Sequence, residues 1–97
     1  MRIARVVGSA VSTIKSEALR GNKLLVVRGA SASDEIIGEP FVAIDAVGAG
    51  EGELVLISEG SAARQSDYTA NTPVDAVIMA ILDSLEVDGT TTFRKGV

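Results

Sequence analysis

The stretch VDAVIMAILDSL, residues 74–85, can be read as a helix or as a strand, and the fold class turns on the choice. Val74, Val77, Ile78, Ile81, Leu82 and Leu85 recur at helical spacing. Thr72 suits an N-cap, Pro73 the first helical position and Asp75 a first-turn acid. On pattern alone this is the best helix in the chain. Yet Val77 to Leu82 is also an unbroken apolar run with β-branched members, as in a buried strand. Periodicity does not separate the two in a run this short.

The flanking segments are β-like. RIARVVGSAVST (2–13) places Ile3, Val7 and Val11 on one period-two face and Val6 and Ala10 on the other, so both sides can be covered. Gly8 interrupts it and marks a bulge or bend, as barrels need. IKSEALRGN (14–22) is a polar connection closed by the turn dipeptide Gly21-Asn22. KLLVVRGA (23–30) is a second strand, too apolar to have a free solvent face. SASDEIIGEP (31–40) is a loop, FVAIDAV (41–47) a third strand and ELVLIS (53–58) a fourth. GSAARQS (60–66) reads as a single helical turn, and DYTANTP (67–73) as a loop. At the end, LEVDGTTTFRK (85–95) reads as a hairpin, with Asp88-Gly89 suited to a type I′ turn. Five or six short strands, one or two short helices and no internal repeat favour a mainly β, small barrel.

The 97 residues suffice for one domain spanning 1–97. A chain this small is marginal alone and gains from a partner. The 46% hydrophobic content argues against disorder. The net charge of −4, with scattered Lys and Arg, is a poor match for nucleic acid or a membrane surface. The three aromatics, Phe41, Tyr68 and Phe93, are too scattered to form a stacking platform. With no Cys and no His, the chain offers no thiolate nucleophile, disulfide framework, Ser-His-Asp triad or ordinary zinc site. The N-terminal apolar run is too interrupted for a signal peptide, and no stretch approaches the ~20 apolar residues that span a bilayer. The expectation is a soluble, cytoplasmic domain without cofactor or metal.

DAVGAGEGEL (45–54) has glycines at Gly48, Gly50 and Gly52, which raises the question of a phosphate cradle. The spacing is G-x-G-x-G, and a strand follows where a dinucleotide fingerprint needs a helix. Asp45, Glu51 and Glu53 would repel a phosphate, and no P-loop lysine follows. The glycines are therefore expected to serve the backbone, in a tight connection with residues at positive φ. The acids Asp34/Glu35, Asp45, Glu51/Glu53 and Asp75/Asp83 show no EF-hand spacing and read as solvated, turn or cap residues. In GSAAR (60–64), Ser61 has no base, while Arg64 suits an anion or a carboxylate on a neighbouring chain, and equally an ordinary surface position at a helix end.

In combination, several stretches resemble the pentameric vertex proteins of bacterial microcompartment shells, the family of the carboxysome and ethanolamine-utilisation vertex proteins. They are MRIARVVGSAVST, LRGNKLLVVR, AIDAVGAGEGELVL, GSAARQ and PVDAVIMAILD, in order along nearly the whole chain. Residues 30–40 and 66–71 match less clearly. The resemblance implies an oligonucleotide-binding-like barrel that assembles as a cyclic homopentamer. It implies a non-enzymatic shell protein that caps five-fold vertices among hexameric shell proteins and supplies curvature. It tips 76–87 toward strand, with Thr72 to Asp75 as a tight turn leading in. By the same resemblance, Gly60, Ser61 and Ala62 border a narrow central opening and Arg64 makes an inter-subunit contact. The C-terminal TFRK resembles metabolosome members more than carboxysome ones. The alternatives are a small oligonucleotide-binding-type module for an anionic ligand and a small enzyme using loop carboxylates.

Overall fold

In the computed structural model, which describes residues 1–13, 17–19, 21–64 and 75–96, the segment that left the fold class open is a strand. β5 (Ala76–Ile81) lies between β3 (Phe41–Asp45) and β4 (Leu54–Glu59). It pairs parallel to β3, with Ile44 opposite Val77, and antiparallel to β4, with Leu56 opposite Ala80. Ile78 points into the barrel, while Val77 points out against Ile44 and Ala63. A strand covered on both faces is apolar at nearly every position, so it matches a helical period by default. That is why the helical pattern misleads. The strand stops at Ile81 and pairing resumes at Ser84, so the stretch is two strands rather than one. The tight turn expected over Thr72 to Asp75 lies, up to residue 74, outside the described residues.

β1 (Arg2–Ala10) and β2 (Leu24–Gly29) complete a closed barrel in the order β1-β2-β3-β5-β4. Closure is made by β1 and β4, with Arg2 opposite Ile57 and Arg5 opposite Leu54. This is the expected oligonucleotide-binding-type barrel. β1 ends at Ala10, short of the expected Thr13. Its register with β2 slips between Val6 and Gly8, leaving Val7 as the extra residue of a bulge at the expected place. The bulge bends β1 so that one strand serves both neighbours of the closing seam.

The barrel interior is aliphatic and largely small: Ala4, Val6, Leu25, Val27, Ala43, Val55, Ile57, Ala76 and Ile78, with Phe41 packed at one side. A second, smaller cluster lies outside the sheet. There Leu19, from a 3-10 turn at Glu17–Leu19, and Ala63, from a 3-10 turn at Gly60–Arg64, cover Ile44 and Val77. The expected helical turn after β4 is this second 3-10 turn.

β6 (Ser84–Val87) and β7 (Thr90–Arg94) form a separate hairpin. Asp88 and Gly89 both take positive φ, 52° and 77°, as the expected type I′ turn requires. β3 and β4 are not neighbours, since β5 stands between them. The connection 46–53 therefore crosses one end of the barrel, and its Ala49 is buried in the core.

Ile57 is fully buried at the closing seam. Ile57→Ala is expected to destabilise the fold by about 2–5 kcal/mol, since the rigid strands around it cannot collapse onto the gap. Urea unfolding at fixed protein concentration measures this, and an unchanged midpoint would contradict the packing described.

Candidate functional site

The glycine-rich crossing is built around its own acids. Asp45, buried at the end of β3, accepts the N–H groups of Val47 and Gly48 on one oxygen, both at 3.0 Å. Lys23 stands 3.9 Å from the other oxygen and donates to the carbonyl of Ala49 at 3.2 Å. Glu53 accepts the Gly50 N–H on Oε1 at 2.6 Å and meets Lys95 on Oε2 at 2.8 Å. The Gly52 N–H donates to the carbonyl of Val6 at 2.8 Å, and Arg5 donates to the carbonyl of Gly52 at 2.6 Å. Gly48 and Gly52 hold φ of 78° and 88°, a region that side chains with a Cβ rarely enter. Gly50 does not; its N–H is aimed at Glu53 instead.

Phosphate cradles work by pointing free N–H groups at one anion. Here the N–H groups of Val47, Gly48, Gly50 and Gly52 are each engaged by a carboxylate or a main-chain carbonyl of the same chain. Asp45 and Glu53 occupy the places an anion would need.

The hydrogen bond from Lys95, followed by that from Gly50, holds the Glu53 carboxyl below the usual carboxylate range. Glu53 in turn holds the Lys95 ammonium above its ordinary value. The contribution of Glu53 to stability is lost as pH falls through its lowered folded value. That of Lys95 is lost as pH rises through its raised one. The pair is thus fully formed across the neutral range.

The other candidate acids do not gather. Asp34 pairs with Arg5, and the Glu35 N–H is bound by Ser31 Oγ at 3.2 Å. Glu51 is exposed within the crossing. Asp75 and Asp83 flank opposite ends of β5, where their carbonyls accept the N–H groups of Gly60 and Lys95, both at 2.8 Å. Among the described residues no group of three metal-ligating side chains forms. Near the start of β1, Arg2 pairs with Glu59 at 3.0 Å and lies over the ring of Phe41, 4.9 Å from its centroid.

Gly60 and Ser61 open the turn after β4, with Ser61 exposed and Ala63 buried beneath it. The side chains of Ala62 and Arg64 lie outside the described residues.

A different surface draws attention. On the outer face of the barrel Val26 stands opposite Val42, and Gly8, beside the bulged Val7, stands opposite Val26. Val42 is 48% exposed and Val7 39%. An apolar stripe thus crosses β1, β2 and β3. It continues into a shallow groove lined by Leu19, Leu24 and Ile44 and bordered by Asp75. Sequence reading did not single out these residues. Its one signal was the run Leu24 to Val27, too apolar for a strand with a solvent face.

The family described as "Ethanolamine utilisation protein EutN/carboxysome" matches residues 1–83. The chain belongs to this EutN/CcmL family. Its relatives include the bacterial microcompartment shell vertex protein PduN of Salmonella typhimurium, 48% identical over 88% of this chain and 98% of the relative. The carboxysome shell vertex protein CcmL of Synechococcus elongatus is 44% identical over 98% of this chain and 96% of its own length. Among solved structures, CcmL of Gloeobacter violaceus superposes with a TM-score of 0.92 at 40% identity, covering 98% of both chains. The GrpN pentameric microcompartment shell protein of Rhodospirillum rubrum superposes with a TM-score of 0.81 at 41% identity, covering 90% of this chain and 99% of that one. These relatives are named as vertex proteins of microcompartment or carboxysome shells.

Asp45→Ala leaves two N–H groups of the EutN/CcmL crossing without an acceptor. It is expected to cost about 1–3 kcal/mol in urea unfolding, with Asp45→Asn costing less because its carbonyl oxygen still accepts. Equal losses for the two variants would contradict the role assigned to that oxygen.

Proposed function

We propose that this chain is a non-enzymatic structural subunit that closes into a ring of five and caps the five-fold vertices of a bacterial microcompartment shell. The observation that carries the reading is the outer stripe of Val7, Val26 and Val42 with its adjoining groove, an apolar face that the described residues leave exposed at Val7 and Val42. A ring is closed by a head-to-tail contact between two different patches of one subunit, and a stripe on one flank of the barrel suits one half of such a contact. The kinship with a relative described as pentameric supports the number five.

A flat lattice of hexamers cannot close on itself, so five-fold units at the corners supply the curvature. In this reading the partners are four more copies of the chain and the hexameric shell proteins around the ring, with no nucleic acid, membrane or cofactor involved. Gly60, Ser61 and Ala62 border the central opening, and Arg64 reaches the neighbouring subunit. Gly48, Gly50 and Gly52 serve the path of the backbone, and residues 1–97 act as one vertex domain. The anionic-ligand alternative is not favoured, because the donors of the glycine-rich crossing are already engaged within the chain.

Val42→Asp sets a charge in the middle of the stripe at a half-exposed position, so the barrel itself is expected to fold. The variant should sediment as a monomer at micromolar concentration where the unmodified chain sediments as a pentamer. The unmodified chain, mixed with shell hexamers, should give closed particles by electron microscopy, and the variant should leave them open. A Val42→Asp pentamer that still closes particles would remove the stripe from the interface.

A further inference from the structure

The β6–β7 hairpin begins at Ser84, one residue beyond the family match, and stands apart from the barrel sheet. A two-stranded hairpin alone is at best marginally stable in water. This one is held by contacts to the glycine-rich crossing, to the loop 31–40 and to Arg5 of β1, and by a bond at its own base. Lys95 meets Glu53 Oε2 at 2.8 Å, and its N–H donates to the carbonyl of Asp83 at 2.8 Å. Thr92 Oγ1 donates to the carbonyl of Ala32 at 2.5 Å. The Phe93 ring lies against the guanidinium of Arg5, 5.7 Å from the ring centroid.

The partners of these contacts lead on. The second oxygen of Glu53 holds the N–H of Gly50 at 2.6 Å. Arg5, besides touching Phe93, donates to the carbonyl of Gly52 at 2.6 Å and pairs with Asp34. Each of the two side chains, Glu53 and Arg5, therefore has one hand on the hairpin and one on the glycine-rich crossing. Between the anchored ends of that crossing sits Ala49, buried in the barrel core.

We propose that the C-terminal hairpin is a latch: through Lys95 on Glu53 and Phe93 on Arg5, its docking holds the crossing 46–53 in the conformation that seats Ala49 in the barrel. Docked and released hairpin are the two states. The crossing is tight in the first and loosened in the second, while the barrel strands stay paired in both. Every residue involved belongs to one chain, so the inference stands apart from the ring reading.

Amide hydrogen exchange by NMR, on the full chain at one pH and one protein concentration, tests it. The decisive variant is Lys95→Ala, because Gly50 keeps its own acceptor. The amides of the hairpin and of Gly50 and Gly52 should exchange about two- to five-fold faster, as befits an exposed ion pair, with Val55 and Ile57 unchanged. Glu53→Gln should speed both segments as well. Faster exchange in the hairpin alone, or in neither segment, would overturn the latch. Faster exchange spread equally through β4 would make Lys95 a general stabiliser and would overturn it too.

Discussion

A small sheet whose strands are apolar on both faces has to cover both. This requirement organises the whole molecule. Closing the sheet into a barrel buries the inner face, with Val6, Val27, Val55, Ile57 and Ile78 filling the interior. Among the described residues the outer face has only a partial solution. Leu19 and Ala63, from two short 3-10 turns, cover only the region of Ile44 and Val77. Val7 and Val42, on either side of the half-buried Val26, stay exposed until something lies on them. An assembling subunit uses that deficit, since the surface it fails to cover is the surface its neighbour covers.

The same barrel shape elsewhere presents a ligand-binding face, and a fold alone does not decide between the two uses. A nucleic-acid surface is built from clustered cations and stacked aromatics, whereas this sequence is acidic and its Lys, Arg and three aromatics are scattered along it. The glycine-rich crossing has the composition of an anion cradle but turns its donors inward, onto Asp45 and Glu53. Its carboxylates, which invite a catalytic reading, fasten the loop across the barrel end.

Much of this was legible in the residues. The bulge at Gly8 and the Asp88-Gly89 turn follow from local backbone chemistry, so local reading finds them. The family resemblance, carried by several stretches in order, points to the vertex proteins that the comparisons then show. From pattern alone, without the resemblance that tips 76–87 toward strand, the segment 74–85 is illegible for a physical reason. A strand between two neighbours, with Ile78 facing in and Val77 facing out, has no polar face to betray its period. The path of the crossing was hidden too. Nothing in residues 46–53 says that β5, more than twenty residues later, will insert between β3 and β4. The stripe could not be read as a site, because it exists only once Gly8, Val26 and Val42 come into register.

In a closed ring, copies of the same chain cover the exposed outer face of one another. Native mass spectrometry of the chain alone, at micromolar concentration, tests that claim most directly. The expected result is one dominant species at five times the mass of a single chain, with no ladder of larger forms, because a closed ring leaves no free patch. A monomer, or an open series of oligomers without a preferred five, would contradict it.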